Sequence, residues 1–118
     1  MKMKLIYTIA IFAFITLSLS NYTNAQDEKK DGKAIFTDAK CSACHGIQSM
    51  NIEGKRKDGK VPDLSSTGLK LKADFIQKYL KKEDKLNDKN HPIAFKGTDD
   101  ELTTLSTWIE SLKAEEKK

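Results

Sequence analysis

Two cysteines and a histidine stand together in Cys41-Ser42-Ala43-Cys44-His45, a few residues after the short apolar run Ala34-Ile35-Phe36. They are the only two cysteines of the 118-residue chain, which has only two histidines. Two thiols three positions apart can bond to one common group, and the adjacent imidazole adds a strong nitrogen ligand. The chemistry of the chain is therefore concentrated in this stretch.

The rest of the sequence offers few apolar side chains for a core. Without residues 1–25, the chain keeps 93 residues, of which 29 are apolar. A composition this polar is close to the disordered class unless something besides side chains fills the interior. The length allows one domain and excludes a Rossmann enzyme or a barrel. The net charge of +4 falls to about +2 without the two lysines of residues 1–25, too little for a nucleic-acid binder.

The first 25 residues have the layout of a secretory signal peptide. Two lysines precede a mostly apolar run over residues 5–19, and a polar stretch ends at Ala25. A helix over that run would cover roughly 22 Å, short of the ~30 Å hydrocarbon core, so cleavage is favoured over a membrane anchor. We predict a signal peptide over residues 1–25 and a mature domain over residues 26–118, located in a bacterial periplasm without stable membrane insertion.

Apolar periodicity predicts three helices and no strands. The first helix should run from about Glu28 to Lys40 and the second from about Lys72 to Lys81. The third follows a capping box, Thr98 to Glu101, and has an apolar face that reaches Leu112. We predict a loop over residues 46–68, which hold four glycines and Pro62, and another over the polar residues 83–96, which include Pro92. The fold class is therefore all-α with long loops.

The spacing of Cys41, Cys44 and His45 is the attachment signature of c-type haem. Two thiols at the end of a helix can add to the two vinyl groups of one porphyrin, and His45 is then held beneath the iron as axial ligand. A covalent porphyrin would also supply the apolar surface that the side chains lack. We predict one covalent haem c per chain.

Two other interpretations of the cysteines have less support. A redox dithiol of the thioredoxin type requires a strand before the motif and a βαβ unit, and the sequence predicts neither; a plain disulfide is the simpler variant. A zinc site of Cys41, Cys44, His45 and His91 has suitable ligand types, but adjacent Cys44 and His45 fit one tetrahedron poorly.

The sequence resembles the class I c-type cytochromes over nearly the whole mature chain. Gly32 and Phe36 are similar to the family's N-terminal helix, and Trp108 is similar to the C-terminal aromatic residue that packs against them. Pro62 resembles the proline whose carbonyl accepts the Nδ1 proton of the proximal histidine, here His45. The resemblance implies three main helices wrapped round one haem, and single-electron transfer rather than enzymatic activity.

The family's usual distal ligand, a methionine in the loop before the last helix, is missing. His91 stands in that loop, and Met50 is the only methionine outside residues 1–25. Met50 follows His45 by five residues, which span at most about 17 Å, whereas a path round the porphyrin edge needs roughly 20 Å or more. We predict His91 as the distal iron ligand, with Met50 as a weak alternative; a vacant or otherwise occupied sixth position stays open.

These ligands predict an exported single-electron carrier that contacts redox partner proteins transiently. Two imidazoles stabilise ferric iron better than imidazole and thioether, so the potential should be lower than in Met/His members. An open sixth position would instead indicate a haem-based gas sensor, a small haem enzyme or a subunit of a larger redox complex. No acid–base pair or nucleophile in the sequence favours an enzyme.

A basic cluster, defined as Lys55, Arg56, Lys57 and Lys60, lies between His45 and Pro62. Three interpretations are open. The cluster could pair with haem propionates, it could steer acidic redox partners, or it could be ordinary solvated loop charge.

Overall fold

The computed structural model describes residues 29–115 and has three α-helices joined by long loops. The helices are α1 (Gly32–Asp38), α2 (Ala73–Leu80) and α3 (Asp99–Glu110), with one-turn 3-10 helices at Cys41–Ala43, Gln48–Met50 and Thr67–Leu69. Within residues 29–115 there is no β-strand, only isolated bridges, and no helix is long and apolar enough to cross a membrane. The all-α prediction is confirmed. The predicted signal peptide lies outside the described residues.

α1 and α3 cross at a glycine. A Cβ atom added at Gly32 would lie 2.1 Å from the Trp108 Cβ atom, so no larger residue fits at this crossing without moving a helix. The ring of Trp108 packs on Phe36, with 5.7 Å between ring centroids and 56° between ring planes. The packing that the resemblance implied for these three residues is present.

α1 is shorter than the predicted helix from Glu28 to Lys40, which was wrong at both ends. Asp31 has an extended backbone, and its side chain accepts a hydrogen bond from the Ala34 N–H at 2.7 Å, so it caps the helix after non-helical residues 29–30. At the other end, Lys40 has a φ of 58°, which turns the chain out of the helix and into the cysteine stretch.

α3 begins at the predicted capping box, and a residue in its last turn caps the first turn of α2. The Thr98 hydroxyl accepts from the Glu101 N–H at 3.2 Å, and the Glu101 carboxylate accepts from the Thr98 N–H at 2.9 Å. At the end of α3, the Glu110 carboxylate accepts from the Ala73 N–H at 2.8 Å and lies 3.3 Å from the Lys72 ammonium. α2, predicted over Lys72 to Lys81, is therefore capped by a residue of another helix.

The apolar core is small and lies where the three helices and the first long loop meet. Phe36, Ile47 and Leu105 are fully buried. A margin of partly buried apolar residues surrounds them, and it includes Leu64, Leu71, Leu80 and Phe95. These side chains leave apolar surface that a flat apolar cofactor would cover.

Candidate functional site

The cysteine stretch folds into a single tight turn. The Cys41 carbonyl accepts hydrogen bonds from the Cys44 N–H at 3.1 Å and from the His45 N–H at 2.9 Å. Cys41 and Cys44 are half-buried, and both thiols are free. The turn therefore presents two unpaired thiols and an imidazole within five consecutive residues.

Neither a redox dithiol nor a zinc site is supported at this turn. Burial raises the pKa of the Cys41 thiol, a backbone hydrogen bond opposes this, and Cys44 raises the pKa further. A thiol with a raised pKa is a poor nucleophile for disulfide exchange. Among residues 29–115, no group of three or more His, Cys, Asp or Glu side chains is arranged to hold a metal ion, so the zinc alternative gains no support.

The imidazole of His45 is oriented by Pro62. The His45 Nδ1 atom lies 2.9 Å from the Pro62 carbonyl oxygen. Since a carbonyl can only accept, Nδ1 carries the proton and Nε2 keeps its lone pair for a metal. Burial lowers the pKa of His45, His91 acts in the same direction, and the Pro62 bond and the charge of Asp63 oppose them.

His91 is oriented in the same way by its own loop. Its Nδ1 atom lies 2.5 Å from the Ile93 carbonyl oxygen, so Nε2 again keeps the free lone pair. The ring is half-buried and meets the Tyr79 ring edge-on, with centroids 5.4 Å apart and planes at 80°. Tyr79 in turn stacks on Phe75.

The two imidazoles lie close together with nearly parallel ring planes. Their ring centroids are 6.1 Å apart and their planes differ by 19°. Two imidazoles that share one metal ion, with metal–nitrogen bonds of about 2.0–2.1 Å, have ring centroids roughly 6 Å apart. The fold thus brings together two residues that are 46 positions apart in the sequence, at a centroid separation compatible with a shared metal.

Met50 has a different environment. It ends the 3-10 helix Gln48–Met50 and packs, partly buried, against the apolar core. Its thioether therefore has a packing role that accounts for an apolar residue at this position.

Two residues at the site were not anticipated from the sequence. A Cβ atom at Gly54 would lie 2.6 Å from the Gly46 nitrogen and 2.7 Å from the Cys44 carbonyl oxygen, so this glycine lets the loop pass directly over the cysteine turn. The Asn90 side-chain amide donates to the Lys82 carbonyl at 3.0 Å and fixes the residue before His91. In the sequence, neither Gly54 nor Asn90 can be distinguished from an ordinary loop residue.

The basic cluster is on the surface, and two of its members have acidic neighbours. The Arg56 guanidinium lies 2.6 Å from the Asp58 carboxylate, and the Lys57 ammonium lies 3.6 Å from Glu53. Both pairs are solvent-exposed, which matches the interpretation as ordinary solvated loop charge for these two residues.

Comparison with protein families agrees with this geometry: the family model of cytochrome c matches residues 29–113. The chain belongs to the cytochrome c family. No curated protein and no solved structure gave a match. A cytochrome c domain with the Cys41-x-x-Cys44 pair carries haem c covalently, and the free half-buried thiols and the apolar margin of the core fit that group. The family consists of electron carriers that are typically not enzymes and that act on redox partners.

Proposed function

We propose that this cytochrome is an exported single-electron carrier in which His45 and His91 bind the haem iron from opposite faces. The observation that carries the proposal is the close pair of imidazoles, with ring centroids 6.1 Å apart and ring planes 19° from parallel. The haem supplies the one-electron couple. The chain's own residues hold the group and set the donor strength of its ligands.

Each proposed ligand has a defined supporting contact. Cys41 and Cys44 form the thioether bonds, which place His45 next to the iron. The Pro62 and Ile93 carbonyls hold the Nδ1 protons of His45 and His91, and such bonds make the imidazole a stronger donor. Stronger donation stabilises ferric iron, so we expect a lower potential than in Met/His members of the family.

Two protein ligands leave the iron no open position for a substrate or a gas. This supports a carrier without enzymatic activity, because haem catalysis and gas binding both require access to the iron. A carrier needs only small and short-lived contacts with its donor and acceptor proteins.

The periplasmic location rests on residues 1–25, whose pattern is typical of a signal peptide. We expect the protein made in a bacterial host with haem c maturation to begin at Gln26. Intact-mass measurement tests this, and a mature protein that retains Met1 would contradict it.

The ligand assignment is tested by the optical spectrum of the purified, oxidised protein. We expect low-spin haem without the weak near-infrared iron–methionine band. His91→Ala should convert the spectrum toward high spin, whereas the control Met50→Leu should leave it low-spin. An unchanged low-spin spectrum in His91→Ala, or loss of the low-spin spectrum in Met50→Leu, would contradict the assignment of His91 as the distal iron ligand.

Carbon monoxide separates the carrier from a gas sensor or haem enzyme. With both axial positions occupied, the reduced protein should bind carbon monoxide slowly and incompletely at neutral pH. Rapid and complete binding would indicate an open sixth position and contradict the proposal.

A further inference from the structure

Asp63 directly follows Pro62, and its carboxylate joins two separate parts of the chain. One oxygen, Oδ2, accepts from the Gln48 N–H at 2.9 Å, and the other, Oδ1, accepts from the Ser65 N–H at 2.9 Å. Gln48 lies three residues after His45. One side chain therefore connects the segment after His45 to the segment after Pro62.

Two further hydrogen bonds run beside this carboxylate. The Leu64 N–H donates to the Gly46 carbonyl at 2.9 Å, and the Ser49 N–H donates to the Ser65 hydroxyl at 3.0 Å. The residues that follow His45 and those that follow Pro62 thus form one connected unit. The direction of the Pro62 carbonyl depends on this unit, because the next peptide along the chain is fixed within it.

We propose that Asp63 is the positioning residue of the haem site: it fixes the Pro62 carbonyl against His45 and places a negative charge near that imidazole. The inference rests on the proposed function, since it takes His45 as an iron ligand. It adds a residue outside the Cys41–His45 motif that sets the properties of the iron.

Both effects of Asp63 act in the same direction. A well-directed Pro62 carbonyl strengthens His45 as a donor, and a negative charge nearby stabilises the more positive ferric state. Because Asp63 is exposed, water screens its charge and the expected effect is moderate.

Asp63→Asn tests the proposal in the haem-loaded protein. An asparagine can accept only through its oxygen, so one of the two hydrogen bonds is lost together with the charge. At a fixed ambient potential, the ratio of reduced to oxidised protein should rise about 2- to 5-fold over wild type, measured by redox titration with optical detection.

Asp58→Asn is the matched control. It removes the same charge from the same loop, where the Asp58 carboxylate contacts Arg56 and the Lys60 N–H rather than the segment after His45. We expect its ratio to stay close to that of wild type. An equal change in both variants, or no change in Asp63→Asn, would overturn the proposal.

Hydrogen exchange on the wild-type protein tests the proposal even if Asp63→Asn does not fold with its haem. The Gln48 and Ser65 amides should exchange far more slowly than that of Lys57, which has no hydrogen-bond partner within residues 29–115. Equally fast exchange of all three amides would overturn the proposal. A wild-type spectrum without two nitrogen ligands would instead refute the proposed function, so the two failures are distinguishable.

Discussion

The two proposed iron ligands are held by loops that are built differently. The proximal loop, residues 46–65, holds His45 through the Pro62 carbonyl, 17 residues further along the chain. The distal loop, residues 81–97, holds His91 through the Ile93 carbonyl, only two residues away. The proximal ligand therefore depends on contacts between distant parts of the chain, and the distal ligand depends on a local turn.

The remaining hydrogen bonds show the same difference. The proximal loop is joined internally by the bonds of Asp63, Leu64 and Ser65, and it passes tightly over the cysteine turn at Gly54. The distal loop is joined to the end of α2 by the Phe95 N–H, which donates to the Leu80 carbonyl, and internally by the Asn90 amide, which donates to the Lys82 carbonyl. A segment with fewer non-local contacts opens more readily, so we expect the distal ligand to dissociate before the proximal one.

The largest effect is expected from Gly54→Ala in the proximal loop. The added methyl group would lie 2.6–2.8 Å from backbone atoms of residues 44–46, which cannot move without moving the haem ligand. The free energy of unfolding should fall by about 2–3 kcal/mol in denaturant titrations. Gly59→Ala is the control. The added methyl group meets no atom within 4 Å, but residue 59 has a φ of +69°, so the free energy of unfolding should fall by only about 1 kcal/mol. Equal costs would contradict the tight packing of the proximal loop.

A smaller effect is expected from Asn90→Ala in the distal loop. The variant loses the bond to the Lys82 carbonyl, worth about 1 kcal/mol, and this should make opening at His91 about 5-fold more frequent. The rate of cyanide binding to the ferric protein measures that opening. Gln48→Ala, which leaves the backbone N–H to Asp63 in place, should bind cyanide at the wild-type rate. Similar acceleration in both variants would remove the predicted difference between the loops.

Acid should weaken the contacts that Glu110 makes with the start of α2, the helix that leads into the distal loop. The Ala73 N–H and the Lys72 ammonium hold the pKa of Glu110 below its ordinary value of 4.5. The stabilisation from Glu110 is therefore complete above that value and is lost as the pH falls through the lowered pKa. We expect the melting temperature of Glu110→Gln to depend less on pH in this range than that of wild type. Glu53→Gln, at an exposed ion pair, should retain the wild-type dependence; identical curves for all three proteins would contradict the prediction.

The smallest effect is expected from Ser106→Ala in α3, outside both loops. The Ser106 hydroxyl is fully buried in α3 and has no hydrogen-bond partner within the described residues. Ser106→Ala should leave the free energy of unfolding unchanged or raise it by up to about 1 kcal/mol, because an unpaired polar group is removed. Ser111→Ala, which removes a hydroxyl bonded to the Trp108 carbonyl, should instead be slightly destabilising. A marked loss of stability in Ser106→Ala would indicate an undetected partner for this hydroxyl.

Helices α2 and α3 could be predicted well from the sequence, because the signals that define them are local. The capping box at Thr98 and the apolar face behind it define α3 within a few residues, and α2 followed from its apolar spacing. The start of α1 was misplaced because the polar residues before Gly32 suit a helix as well as a coil. The choice depends on the Asp31 side chain, whose conformation is set in three dimensions.

The sequence by itself determined the chemical class of this protein. Two cysteines and a histidine at fixed spacing imply covalent haem c. The resemblance to the class I c-type cytochromes, together with the missing methionine in the loop before the last helix, pointed to His91. These inferences need only residue identity and order. Tertiary structure alone decided that His45 and His91 lie close together, that Gly54 lies against the cysteine turn, and that Asp63 joins two segments. The reason is physical: each of these relations joins residues that are distant in the chain, and their meeting depends on how the loops close over the core.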